Sequence, residues 1–273
     1  MSPSSKTLPD GSFQFGLAEV RLEAAAATHA GQVREINEDV YGIFLDSRLF
    51  VVADGMGGHA AGEVAVRIGI DALEAFWREN QNSDPSAWPF PSDQQFSRPV
   101  NLLRVGLKVA NRKVLDESRR DPAWFRMGAT VAALCFDETQ LVAAHAGDVR
   151  IYRFRSEAMS RLTRDHSIVE EMRAAQTGLS PRQISAMVNR NVITRALGSK
   201  PDLEPTVYVN SFEDRDTYLI CSDGLWGCVT DEAIAATVNS EPDLESACHA
   251  LVDAANRAGA PDNVTALLVR VQR

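Results

Sequence analysis

Residues 39–59 read DVYGIFLDSRLFVVADGMGGH. Two runs in it, Tyr41-Gly42-Ile43-Phe44-Leu45 and Leu49-Phe50-Val51-Val52-Ala53, are apolar at odd and even positions alike. A strand exposed on one face alternates apolar with polar residues, so runs of this kind belong to strands covered on both faces. The reading is a hairpin, Val40–Asp46 and Leu49–Asp54, turning around Asp46-Ser47. A glycine-rich turn follows, Asp54-Gly55-Met56-Gly57-Gly58-His59. After it Ala61, Ala65, Ile68, Ala72 and Ala75 recur at helical spacing and predict a helix with one apolar stripe.

Outward from this core the alternation of strands and helices continues. Val20–Ala30 reads as an earlier strand. Residues 80–99 are rich in Pro, Ser and Gln and read as a surface connection. Leu103, Leu107, Ala110 and Val114 mark a second helix, and Ala129–Phe136, Gln140–Ala146 and Arg150–Arg155 are strands. Asp165 to Arg190 is polar and mixed, with a short helix expected to start at Ser180-Pro181, a cap followed by a first-turn proline. Asn191–Leu197, Glu204–Val209 and Thr217–Cys221 read as strands, and Thr230–Val238 as a helix. Leu244, Cys248, Leu251 and Ala255 stripe another helix, and Val264–Val271 is a last strand. Adjacent strands are too many for a parallel α/β sheet, where single strands and single helices alternate. The expected fold is α+β: a four-layer α-β-β-α sandwich of two mainly antiparallel sheets flanked by helix pairs. Residues 1–18 are expected to be a flexible lead-in, and 19–273 one domain.

The 273 residues are 45% hydrophobic, enough for a sizeable core. A net charge of -9 argues against a nucleic-acid partner, which would call for a basic face. Cys135, Cys221, Cys228 and Cys248 form no C-x-x-C pair and are expected to be reduced thiols, mostly buried, in a cytoplasmic protein. The first 18 residues lack the layout of a signal peptide, and no apolar stretch approaches membrane-span length.

Five aspartates stand where strands end: Asp39, Asp54, Asp148, Asp223 and Asp262, each beside Gly or Asn or within such a cluster. Any one alone is better read as a turn former. Turn chemistry is a thin explanation for all five. Carboxylates brought together repel unless a cation joins them, and oxygen-only donors suit Mg²⁺ or Mn²⁺. Zinc would want His or Cys, and the five histidines lack zinc-ligand spacing. Two such ions about 3.5–4 Å apart can share a water, lower its pKa and set it up for in-line attack on phosphorus, with no Ser or Cys nucleophile.

Arg34-Glu35-Ile36-Asn37-Glu38-Asp39, Asp54-Gly55-Met56-Gly57-Gly58, Gly128-Ala129-Thr130, Gly147-Asp148, Asp165-His166-Ser167, Ile193-Thr194-Arg195-Ala196-Leu197-Gly198, Ser222-Asp223-Gly224-Leu225 and Asp262-Asn263 occur in this order. Together they resemble the motif series of the type 2C (PPM) metal-dependent Ser/Thr phosphatases, in a bacterial variant, from about residue 24 to the C-terminus. Each motif is weak; the ordered set is specific. The resemblance implies that Asp54 bridges two ions, Mn²⁺ or Mg²⁺, and that the Gly55 carbonyl holds one of them. It implies that Asp223 and Asp262 complete the first ion, and that Asp39 serves the second through waters with support from Glu38. Asp148 would hold a third, weaker ion with Asp223, and Arg34 would grip the substrate phosphate, as a guanidinium fork suits.

Some family members carry a general-acid His directly after the metal-binding Asp-Gly; here Met56 stands there. His59, three residues on, is either an aid to leaving-group protonation or a cap for the following helix. His166 is read as fixing a turn. Val149 stands where the family usually has Ser. Residues 168–190 resemble the mobile flap of bacterial members, although Met172, Ala174, Ala175 and Met187 also fit plain helix packing.

The resemblance implies phosphoserine and phosphothreonine in proteins as substrates, a Ser/Thr kinase or its targets as partners, and a monomer. Two other readings stand beside it. One is an inactive relative that binds metal or phosphoprotein, although Asp39, Asp54, Asp223 and Asp262 are all kept. The other is a hydrolase of a small phosphorylated metabolite.

Overall fold

The computed structural model describes residues 6–7, 13–17, 20–57, 61–138, 140–175 and 192–272. Its strands are β1 (Lys6–Thr7), β2 (Phe13–Leu17), β3 (Val20–His29), β4 (Asp39–Phe44), β5 (Leu49–Met56), β6 (Gly128–Phe136), β7 (Gln140–Ala146), β8 (Arg150–Arg155), β9 (Ala158–Arg161), β10 (Thr206–Ser211), β11 (Thr217–Cys221) and β12 (Val264–Gln272). The helices are α1 (Ala61–Asn80), α2 (Arg98–Arg120), α3 (Ile168–Ala174), α4 (Asp223–Trp226), α5 (Asp231–Ser240) and α6 (Leu244–Arg257). Among the described residues all strand pairs are antiparallel, in a five-stranded sheet ordered β10-β7-β6-β5-β4 and a seven-stranded sheet ordered β1-β2-β3-β12-β11-β8-β9.

The doubly apolar strands lie where that pattern requires. Leu49, Val51 and Ala53 of β5 face α1 and α2, packing with Leu73, Leu103 and Leu107. Phe50 and Val52, on the other face, pack between the sheets with Leu134, Ile151, Ile220 and Leu267. The far face of the seven-stranded sheet buries Leu219, Cys221 and Leu268 against Ile234, Cys248 and Leu251 of α5 and α6. Three apolar layers thus separate four layers of secondary structure, α-β-β-α. Caps fix where the last two helices start: Thr230 Oγ1 accepts from the Ala233 N–H, and Asp243 from the Ser246 N–H. All four cysteines are free, three of them buried.

Several elements depart from the reading of the sequence. Asn191–Leu197 is not a strand over its described part, 192–197; it makes two isolated bridges, Ser167↔Ile193 and Ala129↔Leu197. The segment touches two different neighbours at its two ends and does not run along either. The strand expected from Glu204 is β10, from Thr206. β9 was not foreseen: it returns from β8 through Ser156 and Glu157, both at positive φ. A turn with two positive φ values is ordinarily signalled by Asn-Gly or Asp-Gly, and Ser-Glu gives no such signal. The 81–97 connection lies outside helices α1 and α2, yet Trp88 is buried edge-on against Phe76, ring centroids 5.5 Å apart. The segment read as a lead-in contains β1 and β2; β1 pairs with β2, and β2 with β3. The helix expected from Ser180-Pro181 lies outside the described residues, as do His59 and most of the 168–190 segment; its described part is α3 and Ala175.

Leu267 is fully buried between the sheets. Leu267→Ala is expected to lower unfolding free energy by about 3 kcal/mol, through lost transfer energy plus a cavity. The check is a lower urea midpoint with an unchanged slope.

Candidate active site

The carboxylates meet because the strands that carry them end side by side. In the β4–β5 ladder Asp39 is the direct partner of Asp54, and across β5–β6 Asp54 faces Thr130. Asp148 follows Gly147, whose φ is +118°. An added Cβ at Gly147 would stand 2.3 Å from the Thr130 Cβ, so only glycine lets this turn lie against β6. Asp223 opens α4 directly after Ser222, which follows β11, and Asp262 stands just before β12. One hollow of about 370 Å³ is lined by Arg34, Glu38, Asp54, Gly55, Met56, Gly57, Thr130, Asp148, Ile193, Asp223 and Asp262. Larger hollows exist, one of about 650 Å³ beside Arg48 and Trp77; charge and burial, not size, single out this one.

Burial pushes these carboxyls toward the neutral form, and their mutual repulsion adds to it. Asp54 is raised well above the usual range, first by burial, then by Asp39, Asp223, Asp148 and Asp262. Asp39 and Asp148 are each pushed up to about 7, chiefly by burial and next, among charges, by Asp223. Asp223 rises to about 6 through burial and Asp262, opposed by Arg34 and Arg150. Glu38 is raised by burial, which the Gly62 N–H and Arg34 partly offset.

Asp39 Oδ2 accepts from Ser222 Oγ at 2.7 Å, and that Oγ itself accepts from the Thr265 N–H at 2.9 Å. Asp39 Oδ1 and Asp223 Oδ1, both buried, have no partner. Asp223 is on the hollow's wall, and Asp39, not on the wall itself, is the ladder partner of Asp54, which is; buried carboxylate oxygens without a partner are what a bound cation would satisfy. The donors on the hollow's wall are oxygens, with neither His nor Cys among the residues named above, so they fit Mg²⁺ or Mn²⁺ and not zinc. Among the described residues no three His, Cys, Asp or Glu side chains close into a ready-made cage. Sites of the magnesium kind take few direct carboxylates and keep several waters.

Further contacts hold the remaining parts of the wall; the sequence reading assigns no role to Asn263, Trp226 or Arg150 among the residues that make them, whereas His166 fixes its turn as expected. Asn263 Nδ2 donates to the carbonyls of Ala30 (3.0 Å) and Ile36 (2.9 Å), and its Oδ1 accepts from the Glu38 N–H (2.8 Å). It thereby fastens the Arg34–Asp39 segment to the start of β12, and nothing in local spacing reveals partners more than 220 positions away. Glu38 Oε1 accepts from the Gly62 N–H at the start of α1 (3.0 Å). Gly55 is packed against that same start, where an added Cβ would lie 2.6 Å from the Gly62 carbonyl carbon. The Trp226 indole N–H donates to the Asp148 carbonyl, while Arg150 stacks on the Trp226 ring at 3.5 Å and pairs with Asp165. His166 closes the Gly147 turn from both sides: its N–H donates to the Gly147 carbonyl, and its Nδ1 accepts from the Gly147 N–H. Burial, with His145 and Arg195 beside it, holds this imidazole down to about 3, in the neutral form that the Nδ1 acceptor role needs. Val149 is buried in the layer between the sheets. Arg34, half exposed, donates through Nη2 to Asp262 Oδ2 at 2.8 Å.

Residues 45–264 match the family described as Protein phosphatase 2C. The chain belongs to this family. Its bacterial relatives include the serine/threonine protein phosphatase PstP of Mycobacterium tuberculosis, 32% identical over 92% of this chain. That match spans only 45% of PstP, so the chain covers about half the length of that relative. The serine/threonine phosphatase stp of Listeria monocytogenes is 30% identical over 91% of this chain and 95% of its own length. The crystal structure of the PstP catalytic domain in complex with two manganese ions superposes with a TM-score of 0.77, at 31% identity, over 93% of this chain and all of that one. The structure of PppA, a regulatory component of the T6SS in Pseudomonas aeruginosa, gives 0.74 at 32% identity over 92% and 97% of the two chains. This phosphatase 2C chain therefore has the family's fold.

Two outcomes are expected of this phosphatase 2C chain. Asn263→Ala leaves two carbonyls and an N–H without their partner and should cost about 2–3 kcal/mol, read in urea unfolding. The second concerns pH. Asp39, Asp148 and Asp223 have folded pKa values above those of a free carboxyl, so the stability they confer is full below about pH 4 and is lost as pH rises through 6 to 7. The metal-free protein should therefore melt progressively lower across that window. Added Mn²⁺ should raise Tm more at pH 8 than at pH 5, because it binds the ionised carboxylates; calorimetry at both pH values checks this.

Proposed function

We propose that this chain hydrolyses phosphoserine and phosphothreonine esters in proteins with the help of two divalent ions, Mn²⁺ or Mg²⁺. The observation that supports it best is the pair of buried, partnerless oxygens, Asp39 Oδ1 and Asp223 Oδ1, on a family scaffold that holds two manganese ions in PstP. Asp54 lies between Asp39 on β4 and Thr130 on β6 and would be the carboxylate that both ions share. Gly55 would offer its carbonyl, and Asp223 and Asp262 would complete one ion. Asp39, with Glu38 behind it, would orient waters around the other. Asp148 with Asp223 is the place for a third, weaker ion. When bound, such a pair lowers the pKa of a shared water and neutralises charge developing on a phosphoryl group.

Arg34 keeps one nitrogen on Asp262 and stands half exposed at the mouth, where the rest of its fork meets phosphate oxygens. His59 lies outside the described residues and remains our candidate for protonating the leaving alkoxide. Among the described residues no helix is long and apolar enough to cross a membrane. We place the enzyme in the cytoplasm, as a monomer acting against a Ser/Thr kinase or its targets.

Purified protein should hydrolyse a chromogenic phosphate ester with Mn²⁺ and stop when a chelator is added. Asp223→Asn should lower kcat/KM at least ~100-fold, in the range of losing one electrostatic contact to the reacting group. Metal-dependent binding of a phosphopeptide without turnover would instead identify a regulator.

A further inference from the structure

Ser222 holds the position just before α4, where a serine side chain ordinarily accepts from a backbone N–H of the first turn. Here the side chain makes no such cap bond. Ser222 is fully buried, and its hydroxyl goes to Asp39 instead, donating to Oδ2 at 2.7 Å. A hydroxyl has one proton to give. The Thr265 N–H occupies a lone pair of the same Oγ at 2.9 Å, so that proton is committed to the carboxylate. The Asp39 backbone is fastened as well, its N–H donating to Asn37 Oδ1 at 3.1 Å. Asn37 Nδ2 donates to Thr28 Oγ1 at 2.8 Å, and Thr28 Oγ1 meets Thr265 Oγ1 at 2.7 Å. The circuit that leaves Asp39 through Ser222 therefore returns through Thr265, Thr28 and Asn37 to Asp39 itself. It ties the start of β4 to β12, to β3 and to the junction of β11 with α4.

Backbone and one carboxylate oxygen of Asp39 are thus both fixed. The other oxygen, Oδ1, is buried and has no partner. The terminal torsion of an aspartate is broad and roughly twofold, so without a fixed donor its two oxygens exchange places at little cost. A single hydroxyl decides which of them is engaged and which stays available. The same residue directly precedes Asp223, whose own Oδ1 is also buried without a partner. In the proposed function Asp39 and Asp223 serve different ions, so Ser222 couples the two sets of ligands. We propose that Ser222 is a positioning residue for metal binding: it pins Asp39 Oδ2 and so presents Oδ1 to the waters of the ion that Asp39 serves. The inference rests on the two-metal reading and adds to it a residue that touches neither ion nor substrate.

The test titrates Mn²⁺ into the full, metal-free chain by calorimetry, so that binding is read and not turnover. The wild type should take up two ions. Ser222→Ala should weaken one of them by roughly tenfold or more, the range for losing the partner of a metal-ligating side chain, and leave the other within about threefold. Ser222→Thr, which keeps the hydroxyl, should hold both ions within that same margin. Urea unfolding in chelator verifies that each variant is folded. If either is not, Ser222→Cys, similar in size with a weaker donor, takes its place and should show a smaller loss confined to the same ion. Unchanged affinities in Ser222→Ala, equal weakening of both ions, or a loss in Ser222→Thr as large as in Ser222→Ala would overturn the inference, while two ions on the wild type kept the metal reading intact. A wild type that binds no Mn²⁺ would overturn both.

Discussion

Buried like charges are the constraint around which this molecule is arranged. Asp54, Asp148 and Asp223 stand on one hollow with Asp39 paired to Asp54 beside it, and burial together with neighbouring carboxylates raises the proton affinity of all four. Nothing in a protein interior keeps such a group together by attraction among its members. The backbone does it: two sheets, each closed by antiparallel ladders, bring their strand ends to one edge and hold them there. The three apolar layers supply the rigidity, and the polar edge spends it on an arrangement that is unfavourable until a cation arrives.

Much of this was legible beforehand. The doubly apolar strands in residues 39–54 announced a sheet covered on both sides, and β5 is indeed fully buried from Leu49 to Ala53. Helical stripes located α1, α2, α5 and α6, because amphipathic spacing is a local property. Asp-Gly and Asp-Asn at strand ends pointed to the carboxylates, although their convergence could be argued only from their number and from likeness to a family. What escaped notice depends on partners distant in sequence. Asn263 gives no sign of bracketing residues 30–38, and Ser222 gives none of reaching Asp39. The β8–β9 hairpin hid behind a Ser-Glu turn. Residues 192–197 read as a strand from their composition, yet they only bridge to one neighbour at Ile193 and to another at Leu197.

Arg34 illustrates how sequence position and geometry divide the explanation. Likeness to a family assigns it to phosphate, whereas the structure has it paired with Asp262. The two are compatible for a side chain with five donors in a planar fork. An exposed ion pair of this type is worth little in itself, so it steadies the guanidinium at the mouth without locking it there.

Gly55 and Gly62 meet with no room for a single further carbon, and Glu38 is wedged against both. The depth of the hollow is therefore gauged by the thickness of bare backbone. The outer helical layer works as a caliper on the acidic hollow: α1 cannot slide along its sheet without altering that clearance.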